Sequence, residues 1–155
     1  MKALYEGERE RAEELLPLDE ELAVFEAAAF GRIDALRAIL DDDPTQANVL
    51  SSDGFTPLHL ACFAGGPAAT RLLVERGADL ERVSEAAIAR VWPLGTTAFS
   101  RDRESAKILL EAGADPNGAG TDGSTPTQAA RANGDEEMIR LLRSHGADAG
   151  SAGAG

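Results

Sequence analysis

The residues whose types could carry chemistry are few: two histidines, one cysteine, a run of three aspartates and one glycine-rich hexapeptide. His59 and His145 lie far apart in the chain, and neither has a neighbouring Ser, Cys or metal-ligand spacing. Asp41-Asp42-Asp43 is acidic enough to suggest a cation site. Hard cations need several oxygens converging from a folded loop, however, and three adjacent aspartates cannot all point inward. A solvated helix end is the expected role. Gly118-Ala119-Gly120-Thr121-Asp122-Gly123 spells the glycine fingerprint of a dinucleotide site. That fingerprint needs an apolar strand before it, so that the amides of the following helix face the pyrophosphate. Glu111 to Asn117 reads instead as a helix end and turn, which makes the hexapeptide a connecting hairpin. No pattern of nucleophile, base and orienting acid is present, so the chain is expected not to be an enzyme and to use no metal and no cofactor.

Composition narrows the partners. The chain has 155 residues with a formal net charge of −12, which repels phosphate backbones and anionic lipid. Nucleic acid and membrane are therefore not expected partners. A single cysteine, Cys62, precludes an intramolecular disulfide, and the N-terminal residues are too acidic for a signal peptide. A cytoplasmic location is expected, and the preference for arginine over lysine hints at a GC-rich bacterial genome.

The elements that position these residues emerge from a repeat. Gly77-Ala78-Asp79, Gly113-Ala114-Asp115 and Gly146-Ala147-Asp148 recur at intervals of 36 and 33 residues. Apolar blocks precede them, Leu72-Leu73-Val74, Ile108-Leu109-Leu110 and Leu141-Leu142, as the last turns of amphipathic helices stopped by glycine. Upstream, Thr56-Pro57-Leu58-His59 and Thr125-Pro126-Thr127-Gln128 are helix starts. Threonine can cap the orphan amides, proline suits the first helical position, and Thr125 to Gln128 has capping-box spacing. The unit is helix, tight turn, helix, extended connection.

On these motifs the sequence resembles the ankyrin-repeat family, specifically over residues 52–79 and 121–148 and degenerately elsewhere. The resemblance implies an all-α solenoid of stacked helix-turn-helix units with short projecting hairpins or loops. One domain is expected over 1–148, with about five units at 1–18 (partial), 19–50, 51–83, 84–117 and 118–148, and a disordered tail at 149–155. It also implies that Thr56 and His59 hydrogen-bond locally and tie neighbouring units, and that Cys62 is a buried, inert thiol.

The unit at 84–117 departs most from the pattern. Trp92-Pro93-Leu94-Gly95 replaces Thr-Pro-Leu-His, and Arg101 stands where other units place Gly7, Gly31, Gly65 and Gly134. A left-handed backbone is expected at Arg101, and no regular hairpin over 81–91. Arginines near a tryptophan can hold a carboxylate or phosphate, so Arg90, Trp92 and Arg101 suggest an alternative anion or small-molecule site, or a cryptic enzyme.

The family implies protein binding through a concave groove and the loop tips. Aromatics fall just before the mid-unit turns at Tyr5, Phe30, Phe63 and Phe99, with Asn133 at the matching place in the last unit. These residues, with Asp53 and Phe55 from a projecting loop, are the expected partner-binding set, the four rings forming an exposed stripe. The expected partner is another protein with a basic or amphipathic surface, bound by a monomer.

Overall fold

The computed structural model describes residues 23–64, 66–85, 90–119 and 123–147. They form four helix pairs. The first is α1 (Ala23–Ala29) with α2 (Ile33–Asp42), followed by a 3-10 turn at Pro44–Asn48. Next come α3 (Pro57–Ala64) with α4 (Pro67–Glu75), α5 (Pro93–Ser100) with α6 (Arg103–Glu111), and α7 (Pro126–Ala132) with α8 (Glu136–Ser144). No strand occurs among the described residues. The first helices pack side by side as one layer and the second helices as another. Tyr5, the partial unit at 1–18 and the 149–155 tail lie outside the described residues.

Local chemistry starts the helices from α3 to α8. Thr125 accepts from the Gln128 amide while the Gln128 side chain accepts from the Thr125 amide, a complete capping box. Asp102 and Asp135 cap α6 and α8 through the amides of Ser105 and Met138. Pro57, Pro67, Pro93 and Pro126 open their helices, where a missing N–H costs nothing. Buried Leu36, Leu40, Leu58, Leu73, Leu94, Leu109, Met138 and Leu142 then run through the stack as a single core.

The turn between α5 and α6 is made by Arg101, at φ 63° and ψ 28°, the left-handed conformation expected for it. Gly31 and Gly134 hold the same turn at φ 66° and 65°. A side chain there costs roughly 1 to 2 kcal/mol. The Arg101→Gly variant is expected to be more stable than the wild type by about 1 kcal/mol, reduced by loss of the 3.1 Å bond from the Arg101 guanidinium to the Asn133 carbonyl. A urea titration showing an unchanged or lowered midpoint would mean that the turn is unstrained.

The units are joined differently along the array. Between the first two described pairs, Asn48 donates to the Gly77 carbonyl and accepts from the Asp79 amide, and Arg76 pairs with Asp41. Between the last two, Asn117 reaches the Gly146 carbonyl and Arg103 pairs with Asp135 and Glu137. Across the central junction no ion pair occurs among the described residues. There Thr70 and Ser105 share a buried hydroxyl bond of 3.0 Å, Ser100 donates to the Cys62 carbonyl at 2.8 Å, and His59 bonds Val91 at 2.9 Å.

The long connection before α5 is pinned at its base, where the Ser84 amide bonds the Val91 carbonyl and the Ser84 hydroxyl accepts from the Val91 amide. Residues 86–89 of this connection lie outside the described residues. Its described part forms no strand pair, as expected.

Candidate partner-binding surface

Phe63 and Phe99 end α3 and α5 at matching places and are 60% and 66% exposed. Their rings stack with centroids 6.2 Å apart and planes 15° apart. Because the helices carrying them are held by the Ser100–Cys62 and His59–Val91 bonds, the rings are presented on a fixed frame. Next along the layer, Asn133 donates its side-chain amide to the carbonyls of Ala98 and Phe99, so it braces the Phe99 end of α5.

The other expected contact residues have different settings. Phe30 is half-buried, so among the described residues the exposed rings of the row are Phe63 and Phe99, and Tyr5 lies outside the described residues. Asp53 is exposed at the tip of a turn closed by Ser51–Phe55 and Ser51–Gly54 backbone bonds. Phe55 is half-buried, its ring 6.0 Å from that of His59.

The layer around the rings is nearly free of charge. Helices α3 and α5 contain no charged residue and α1 and α7 one each, Glu26 and Arg131, whereas α2, α4, α6 and α8 carry two to four. Uncharged exposed surface centred on two rings is the composition of a contact site.

The titratable groups fall into structural roles. His59 is buried, its Nδ1 accepting from the Thr56 hydroxyl at 2.8 Å and its Nε2 donating to the Val91 carbonyl. A carbonyl can only accept, which assigns the proton to Nε2. Burial holds the imidazole pKa below its usual value, so the ring is neutral. Burial also pushes the Cys62 thiol up to about 12, leaving no thiolate to react. Asp43 caps the 3-10 turn, and its bonds from Thr45 and Gln46 hold its carboxyl below the usual range. His145 is exposed at the C-terminus of α8.

Trp92 and Arg101 flank α5 at opposite ends, so they do not converge; the eight-residue helix separates them by roughly 12 Å. The indole packs on Gly118, where an added Cβ would sit 2.0 Å from a ring carbon. Arg101 instead borders an open polar cleft of about 290 Å³ shared with Arg103, Asp135, Glu136, Glu137 and Arg140. Sequence reasoning did not foresee that cleft, since its residues come from two turns with no shared motif. Among the described residues no group of His, Cys, Asp or Glu is placed to hold a metal ion.

Residues 1–84 match the family described as ankyrin repeats (3 copies), and residues 122–152 match the single ankyrin repeat. The chain belongs to the ankyrin-repeat family. The residues between the two matches include the irregular α5–α6 pair.

Relatives point the same way. The chain is 32% identical over 124 residues to ankyrin repeat and SAM domain-containing protein 6 of Rattus norvegicus, covering 78% of this chain and 14% of that protein. It is 33% identical over 122 residues to an ankyrin repeat-containing protein of Treponema pallidum, covering 76% and 39%. It is 40% identical over 103 residues to ankyrin repeat and SOCS box protein 16 of Mus musculus, covering 61% and 22%. The ankyrin chain thus spans less than half the length of each of these relatives. Ankyrin repeats generally mediate protein–protein interaction. Among the described residues no helix is long and apolar enough to cross a membrane.

Proposed function

We propose that this ankyrin-repeat chain is a non-catalytic protein-binding module. Its contact surface is the first-helix layer centred on Phe63 and Phe99, with the loop tip at Asp53. The exposed ring pair on an uncharged floor carries this reading. Two rigid aromatic side chains give large contact area for little lost entropy, the composition of an interface hot spot. The array over 1–148 works as one monomeric domain of about five units, in the cytoplasm, without nucleic acid or membrane partners. The alternative, an anion or small-molecule site around Trp92, would have to work without Arg101, which stands at the other end of α5.

The test uses Phe63→Ala in two measurements. Because the ring is 60% exposed, its removal is expected to cost about 1 kcal/mol of stability, mostly the lost stack, against roughly 3 to 5 for a core phenylalanine. Affinity is expected to fall by on the order of 2 kcal/mol, so partners retained from native lysate by the wild type should be lost by the variant. Retention of the same proteins by a natively folded variant would remove the ring pair from the contact surface.

A further inference from the structure

The floor around Phe63 and Phe99 is made of helices α3 and α5, whose backbone groups are spent within the helices and their turns. Among the described residues no strand edge stands beside it. An extended partner segment would therefore bury its own amides and carbonyls with nothing to bond them, at a cost that normally excludes such contacts. A helix satisfies those groups internally and needs only an apolar stripe to offer.

Dimensions agree. The two floor helices each have eight residues, so the floor is roughly 12 Å across, about the diameter of one α-helix with its side chains.

Charge selects the other face of the occupant. With no charged residue on α3 or α5, an ionised group pressed against the floor would lose its hydration unpaired. The rest of the chain carries a net charge of −12, which repels a second copy of itself and draws a basic molecule into encounter. Resting on the groove reading above, we propose that the occupant is a basic amphipathic helix of another protein. Its leucine-like stripe covers the Phe63–Phe99 pair, and its lysine and arginine residues face outward.

Three synthetic 18-residue helical peptides, labelled for fluorescence polarisation, test this on the full chain. One has a leucine stripe with lysine elsewhere, one has the same composition with the leucines scattered round the helix, and one has the stripe with glutamate elsewhere. The striped lysine peptide is expected to bind at least tenfold more tightly than either control. Phe63→Ala with Phe99→Ala should weaken it at least tenfold while a native circular dichroism spectrum is kept. Equal binding of the scattered peptide would overturn the helix proposal by reducing the attraction to charge alone, and equal binding of the glutamate peptide would overturn the basic partner. No measurable binding of the striped lysine peptide would also overturn it. Striped binding indifferent to loss of both rings would sink the groove reading itself. A dimer of the wild type that the ring variants abolish would make a second copy the occupant, contrary to the proposal.

Discussion

The His59→Leu variant is expected to lose about 2 kcal/mol of unfolding free energy at pH 8, and the gap to wild type should narrow on acidification. Leucine keeps the buried volume but takes one bond from the Val91 carbonyl, which still accepts from the Ser84 amide, and one from the Thr56 hydroxyl, which still accepts from the amide of residue 59. Each hydrogen bond so lost costs roughly 0.5 to 1.5 kcal/mol. The pH dependence follows from the neutral state of the ring. Burial lowers the folded pKa beneath the ordinary 6.5, so the unfolded chain takes up the proton first. The wild type accordingly keeps its full stability above pH 6.5 and loses it as pH falls towards the folded pKa, with a slope of up to about 1.4 kcal/mol per unit. The leucine variant lacks that proton, and the exposed His145 is common to both proteins. Urea unfolding at pH 8 and pH 5.5 reads both numbers. A gap that stayed constant between them would mean that His59 is not held neutral.

A second large effect is expected at Gly118. The ring of Trp92 occupies the space a side chain would need, 2.0 Å and 2.2 Å from the position of an added Cβ. Gly118→Ala must push the indole or the loop aside, at a cost of about 2 kcal/mol typical of an overpacked core. Combining it with Trp92→Leu, which removes the obstructing ring, should cost at least 0.5 kcal/mol less than the sum of the two single changes. Trp92 is the only tryptophan, so emission of the Gly118→Ala variant should also shift towards that of solvated indole. Additive losses in the cycle would mean that the two residues do not meet in solution.

Gly118 shows where a sequence becomes misleading. Its hexapeptide spells a nucleotide fingerprint, yet the glycine at 118 is explained by an indole 26 positions earlier in the chain. Local rules were legible because they act over one turn: the capping box at Thr125–Gln128, the proline starts, and the left-handed turn that Arg101 had to accept. Thr56 and His59 were legible through the family motif they spell. Bonds between units were not. Nothing in the spacing of Asn48, Asp41 or Arg103 announces a partner some thirty residues away, because that pairing depends on how far one unit is rotated on the next. The ring pair was legible as a register, since homologous places align when units stack. Its exposure, expected for all four rings, is met at Phe63 and Phe99 but not at Phe30, which occupies the equivalent place half-buried.

The uneven joints between units bear on how the array responds to ionic strength. The Arg76–Asp41 and Arg103–Glu137 pairs, at the first and last of the three described junctions, are partly exposed and lie in reach of a counterion atmosphere about 8 Å deep at physiological salt. Each contributes at most about 1 kcal/mol, and salt erodes that contribution. The central junction is joined by a buried hydroxyl bond, an imidazole–carbonyl bond and two phenyl rings, none of which an electrolyte screens. Concentrated salt thus loosens these two couplings and spares the one between them, so the unfolding of the described part of this one-dimensional lattice becomes less cooperative.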